Sequence, residues 1–277
     1  MISRLQRWWR KTTGSGSPAP FSDALWSDVT RRLPFLQGLD TEESQRLRDL
    51  CQLFLSTKTF TAADGFELSD EICLSIAVQG CLPILNLGLD WYAGWNGIIV
   101  YPDEFVIPRE SMDDYGVVHR YEEIAAGEAW GGGPLIVSWS DAQMTDAEYN
   151  VVIHEFAHKI DMLNGDADGC PPLQKNQSSA TWRTVWSAAY QDFCRRVDES
   201  PMSIFEDENG DEFEELELDS ALDPYAAEAP GEFFAVVSEI FFSAPAALLL
   251  EYPAVYEQLK LLYRQNPVAR LPVQVGR

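Results

Sequence analysis

Histidine is nearly absent from this chain: there are three in 277 residues, His119, His154 and His158. Positive charge is scarce too. Twenty Lys and Arg stand against 44 Asp and Glu, a formal net charge of −24. A phosphate backbone would meet repulsion over most of such a surface, so direct nucleic-acid binding is excluded, and any effect on DNA has to pass through a protein partner. No apolar run approaches the roughly eighteen residues of a membrane-spanning helix. The five cysteines (Cys51, Cys73, Cys81, Cys170 and Cys194) are odd in number and include no C-x-x-C pair. Free thiols in a reducing cytoplasm account for that better than a disulfide framework. A secretory signal is lacking as well. Arg4, Arg7, Arg10 and Lys11 surround Ile2, Leu5, Trp8 and Trp9, with no apolar core or small-residue cleavage site behind them. Such a basic amphipathic segment can rest on an anionic membrane surface. The Gly-Ser-Pro-rich stretch 14–20 that follows favours an unstructured tail instead. Residues 1–20 therefore read as a basic tail and linker, and residues 21–277 as one domain, cytoplasmic, with 46% hydrophobic residues and nine tryptophans to build its core.

What is present centres on His154-Glu155-Phe156-Ala157-His158. Val152, Ile153, Phe156, Ala157, Ile160 and Leu163 recur at helical spacing, no proline interrupts them, and Asn164-Gly165 supplies a stop. Residues four apart on a helix share a face, so both imidazoles point the same way, one turn apart. That is the separation two ligands of one tetrahedral zinc need, with Glu155 left beside the metal to take a proton from water. H-E-x-x-H is short, and a surface helix with two chance histidines is its bland alternative. The scarcity of histidine weighs against that alternative.

Upstream, Asp40 with Glu43 three residues on marks a helix start, followed by the stripe Leu47, Leu50, Cys51, Phe54 and Leu55. A second buried helix runs from Ser69 through Ile72, Ile76 and Ala77 to Pro83. Strands are expected at Gly97–Tyr101, Val117–Tyr121 and Gly131–Trp139, so a small sheet precedes the motif helix. The edge of such a sheet can take up an extended peptide as an added strand. Asn164 to Gly169 resembles the start of a calcium loop, but Lys175 stands where the twelfth-position glutamate belongs, and the reading is rejected. Thr181–Val197 is a further helix. The segment from Asp198 to Asp219 holds eleven acidic residues and no basic one. It reads as a solvated or mobile insertion, able to dock a basic partner or catch divalent cations weakly. Pro230-Gly231-Glu232 then opens a strongly apolar helix running to Phe242, and a last helix covers Ala254–Gln265.

Two histidines do not complete a catalytic zinc site, which wants a third protein ligand and an open position. No histidine follows His158, so the third ligand is a carboxylate from a later helix. Glu232 and Glu239 lead, seven residues apart on one face of a helix too apolar to be exposed, where a carboxylate needs a metal, a base or a hydrogen-bond network. One binds zinc and the other orients a histidine N–H from behind. Position does not decide between them, although the first turn leaves Glu232 freer to reach out. Glu228 is a weaker option, and Asp161 is a further candidate for orienting a histidine, against the alternative of an ordinary exposed aspartate.

The motif helix, together with Asp223-Pro224-Tyr225-Ala226-Ala227 and Pro230-Gly231-Glu232-Phe233-Phe234-Ala235-Val236-Val237-Ser238-Glu239, resembles the Mlc titration factor A family of bacterial zinc metallopeptidases. Gly65–Leu68, Cys81–Leu85 and Gly133–Val137 are similar to that family as well, so the likeness covers nearly all of the chain from Phe21 onward. The Tyr225-to-Glu232 spacing and Glu-Phe-Phe-Ala also resemble the catalytic domain of anthrax lethal factor. The resemblance implies an α+β fold, mainly helical and zincin-like (gluzincin type), with the small sheet before the motif helix. It implies one Zn2+ held by His154, His158 and Glu232, with Glu155 as general base and Tyr225 stabilising the oxyanion or donating a proton. His119 falls where the family has a histidine able to reach the metal, a fourth ligand that closes the site; its plain alternative is a strand histidine making one hydrogen bond. The implied activity is aminopeptidase-type peptide hydrolysis, and the implied partner is the glucose repressor Mlc, through which the sugar phosphotransferase system is modulated. The rival expectation is a non-proteolytic protein that sequesters a regulator through a zinc-gated interface. The acidic insertion and the basic N-terminus depart from the family pattern and bear on the partner more than on the chemistry.

Overall fold

Side-chain caps set where most of the helices begin. The computed structural model describes residues 21–112, 118–144, 149–206 and 212–271. Helix α1 (Asp23–Thr30) starts behind Ser22. Helix α2 (Thr41–Thr57) starts from a full capping box, Asp40 Oδ1 accepting from Glu43 N–H and Glu43 Oε2 from Asp40 N–H. Ser69 caps α3 (Asp70–Cys81). Strands β1 (Thr59–Ala62), β2 (Gly97–Tyr101), β3 (Phe105–Met112), β4 (Val118–Ala125), β5 (Gly127–Ala129) and β6 (Leu135–Ser138) follow, and then the single turn α4 (Trp139–Ala142). The motif helix is α5 (Val151–Asp161), and α6 spans Ser179–Glu199. Strands β7 (Met202–Glu206) and β8 (Glu212–Leu216) precede α7 (Pro230–Ser243), α8 (Pro245–Glu251) and α9 (Pro253–Tyr263), each of the last three with proline at its head.

The sheet has the order β1-β2-β6-β5: the first three strands are parallel, and β5 runs antiparallel along the edge. Ile98, Val100, Leu135 and Val137 face the main core, and Ile136 faces a second, smaller cluster with Phe105 and Ile107. Helix α5 lies against β5 and β6 and packs most extensively on α7. Every residue of α5 is buried. The ring of Phe156 anchors it, seated among Phe54, Tyr92 and Trp95 with centroids 5.0–5.9 Å apart. Gly80 gives it room, since a Cβ there would stand 2.5 Å from the ring. Placing a mixed sheet before a buried motif helix agrees with the α+β class read from the sequence.

Several expectations need correction. The third strand is shorter than Gly131–Trp139, because the glycines form a turn and Ser138 caps α4 at Trp139. Strands β1, β3 and β5 lacked an alternating apolar pattern long enough to announce them. The acidic run is not wholly irregular, since β7 and β8 pair as an antiparallel hairpin. Residues 207–211 of that run lie outside the described residues, as does the N-terminal tail and linker, 1–20. No helix among the described residues is long and apolar enough to cross a membrane.

Candidate metal centre

Asn150 fixes the phase of α5: its side-chain oxygen accepts from Ile153 N–H at 2.8 Å. His154 and His158 then emerge on one face, ring centroids 4.8 Å apart. Helix α7 brings Glu232, in its first turn, to the same point. His154 Nε2 and Glu232 Oε2 are 3.1 Å apart, His158 Nε2 and Glu232 Oε2 3.2 Å, and the two Nε2 atoms 3.1 Å. Tetrahedral bonds of about 2.0–2.1 Å separate ligand atoms by roughly 3.3–3.4 Å, so the three atoms stand close to one face of such a tetrahedron. Among the described residues they are the one group of three metal-binding side chains gathered in this way.

The charges agree with the geometry. Burial opposes ionisation of Glu232, yet the two histidines beside it hold its carboxyl well below the usual carboxylate range. Burial likewise opposes a charged His154, yet Glu232 and Glu239 raise it well above the ordinary imidazole value. The two shifts are the two ends of one pairing, in which carboxylate and imidazole favour each other's charged form. The cluster suits a metal ion.

Glu239 stands behind His154, its Oε1 2.6 Å from Nδ1, while its Oε2 accepts from Asn150 N–H at 2.8 Å. With the Nδ1 proton donated to Glu239, the Nε2 lone pair is turned toward Glu232 and His158. Asn150 Nδ2 donates to Gln79 Oε1 at 2.8 Å, and Gln79 Nε2 donates to the Ala142 carbonyl at 3.1 Å, so the network reaches α3 and α4. The two carboxylates, which position along the helix alone left undecided, thus stand apart: Glu232 at the triangle and Glu239 behind His154. Glu228, at the end of the turn Pro224–Ala227, is exposed and outside the cluster.

A cavity of about 410 Å3 opens beside the three atoms, lined among others by Glu155, Tyr225, Met162, Ile124 and the whole of β5. Glu155 is buried with Oε2 unpartnered, and burial pushes its carboxyl up to about 7. Gly127 accommodates it: a Cβ at 127 would lie 2.4 Å from Glu155 Oε1. Tyr225 is half-exposed at the cavity wall, its ring centroid 6.2 Å from that of His154. The backbone of His119 lies in β4 opposite Ser111, and its side chain falls outside the described part of the molecule. Asp161 is fully buried and accepts from Gly169 N–H at 2.8 Å, so it is not an exposed aspartate.

Sequence reasoning missed Gln79, Gly127 and Lys159. Lys159 Nζ donates to the carbonyls of Trp130, Gly133 and Pro134 at 2.6, 3.0 and 3.1 Å, tying the turn between β5 and β6 to the motif helix. Nothing in the sequence distinguishes that lysine from a solvated one. The run Ala125-Ala126-Gly127 offered a faint signal, since small residues often mark close approach of another chain segment.

Comparison with known proteins gives a consistent result. The model of the family described as glucose-regulated metallo-peptidase M90 matches residues 5–264. Mlc titration factor A of Salmonella gallinarum is 39% identical over 259 residues, which cover 92% of this chain and 91% of that protein. The proteins of the same name from Cronobacter sakazakii and Escherichia fergusonii are 36% and 35% identical over 269 and 266 residues, in both cases 95% of this chain and 92% of theirs. A match of that extent, carried by a chain whose two motif histidines meet Glu232, shows that it belongs to the glucose-regulated metallo-peptidase M90 family, alongside the Mlc titration factor A proteins.

Proposed function

We propose that the protein is a zinc-dependent peptidase of aminopeptidase type, zincin-like (gluzincin type) in fold, with His154, His158 and Glu232 holding the ion. The observation that carries this reading is the meeting of three ligand atoms 3.1–3.2 Å apart with a buried, unpartnered Glu155 carboxylate oxygen on the wall of the same cavity. Zinc, when bound there, supplies a Lewis acid for a peptide carbonyl and brings the pKa of a water toward ~7. Glu155 accepts the proton of the attacking water and passes it to the leaving amine, a role suited to a carboxyl poised at about 7 by burial. Tyr225, which also lines the cavity, donates a hydrogen bond to the tetrahedral oxyanion. Glu239 keeps His154 in the tautomer that leaves Nε2 free. His119 is a candidate fourth ligand of a closed state.

Glu155→Gln removes the base and keeps the shape. Turnover of peptide substrates falls to background, while added zinc still raises the unfolding midpoint as it does in the wild type. A Glu155→Gln protein that hydrolyses peptides at the wild-type rate overturns the assignment. The names of the relatives suggest a partner as well, and we extend an Mlc-like repressor to this chain. Capture of that repressor by the Glu155→Gln protein and by a metal-free preparation separates binding from hydrolysis. Retention in both, without any peptidase activity in the wild type, would favour a sequestering protein.

A further inference from the structure

We propose that Asp161 is the positioning residue for both halves of the metal centre, one carboxylate oxygen setting the loop behind Glu232 and the other holding His158. The inference rests on the reading of His154, His158 and Glu232 as the metal ligands. Asp161 ends α5, three residues after His158, and is fully buried. Burying a carboxylate at that point is costly unless its lone pairs are used. One oxygen, Oδ2, accepts from Gly169 N–H at 2.8 Å.

That bond fixes more than a loop. The segment around Gly169 is wedged against the start of α7: a Cβ on Gly169 would lie 2.6 Å from the Pro230 carbonyl oxygen, and a Cβ on Gly231 would lie 2.5 Å from that of Ala167. Gly169 also has φ +75°, a conformation that side chains resist. Its carbonyl takes the indole N–H of Trp182 at 3.0 Å, which closes the wedge from the other side. Glu232 is the next residue after Gly231. Asp161 therefore ties the helix carrying both histidines to the backbone that delivers the carboxylate.

The second oxygen bears on the other half. Asp161 Oδ1 and His158 Nδ1 are both buried and both lack a hydrogen-bond partner. They are complementary, a carboxylate acceptor and a ring N–H donor, one turn apart on one helix. A small side-chain adjustment or one bridging water satisfies both, and buried polar pairs are rarely left unmet. With the proton held on Nδ1, His158 presents a bare Nε2 to the centre, as Glu239 already arranges for His154.

The test uses Asp161→Asn. Asparagine has one acceptor oxygen where aspartate has two, so it satisfies Gly169 N–H or His158 Nδ1–H but not both. Zinc affinity, measured by competition with a chromophoric chelator, is expected to fall by about 10- to 100-fold. In the metal-free protein, nitrogen-15 spectra of the histidine rings and amide exchange over 167–170 provide a second readout: either the His158 proton moves to Nε2 or the loop amides exchange faster. Gly231→Ala presses on the loop and the Glu232 side without changing the Asp161 carboxylate, lowering zinc affinity while His158 keeps its tautomer. An Asp161→Asn protein with wild-type zinc affinity, an unchanged His158 tautomer and an unchanged loop overturns the inference. A wild-type protein that binds no zinc overturns the metal reading instead, and the metal-free spectra then still decide the role of Asp161.

Discussion

An alanine at position 127 asks how tightly Glu155 is confined. The added Cβ would meet Oε1, Cγ and Cδ of Glu155 at 2.4, 2.6 and 2.8 Å, so the whole carboxyl end has to move and not merely one rotatable tip. Ordinary contact begins near 3.4 Å, which requires a displacement of about 1 Å. Glu155 is buried, so part of the clash is taken up as strain, of the order of 1–3 kcal/mol in stability. Misplacing a catalytic group by about 1 Å costs on the order of a hundredfold in rate. Gly127→Ala should therefore lose roughly two decades of kcat on a peptide substrate, with zinc affinity close to wild type because the three atoms nearest the added Cβ all belong to Glu155. The double variant with Glu155→Gln should be no slower than Glu155→Gln alone, since both changes act through one carboxylate. Turnover at the wild-type rate in Gly127→Ala, or a double variant slower than either single one, would refute this account of how Glu155 is placed.

Two other outcomes follow from the surroundings of the site. Glu239→Gln keeps an acceptor for Asn150 N–H but sets an amide beside His154 Nδ1, and zinc binding should weaken by about 10- to 100-fold with peptide KM little changed, as read by metal titration. Lys58 is buried against the carbonyls of Tyr92 and Trp95, and burial lowers its ammonium to about 8. Between pH 8 and 10.5 the unfolded chain then holds the proton more firmly than the folded one, so this group makes stability rise with pH across that window, by at most about 3 kcal/mol. Lys58→Met should remove that rise in chemical unfolding measured at pH 8 and at pH 10; an unchanged slope would show that Lys58 titrates normally.

Much of the site was legible because its chemistry is carried by rare or misplaced residue types. Two of three histidines at helical spacing, and two glutamates on an otherwise apolar helix, violate the expectation for a surface helix and a core helix respectively. What could not be read is how residues 78 positions apart meet. Whether Glu232 or Glu239 faced both histidines depends on the rotation of α7 against α5, and that rotation is set by contacts such as Gly231 on Ala167, which no periodicity encodes. The strands fared worse than the helices for a related reason. Residues such as Asp40 and Ser69 announce a helix start locally, whereas β1 and β5, four and three residues long, are strands only because neighbours pair with them. Lys159 illustrates the same limit: its value comes from three carbonyls of a distant turn.

The double duty of Glu239 has a mechanical outcome. The same carboxylate that takes the His154 ring proton also accepts from the backbone of Asn150, the residue that starts α5. Any tilt of that imidazole away from Glu239 would pull on the first turn of the helix, and fraying of that turn would in return loosen the ring. If an ion is held at the triangle, its loss is therefore expected to register at the start of α5, as faster exchange of the Ile153 amide measured without any substrate in the tube.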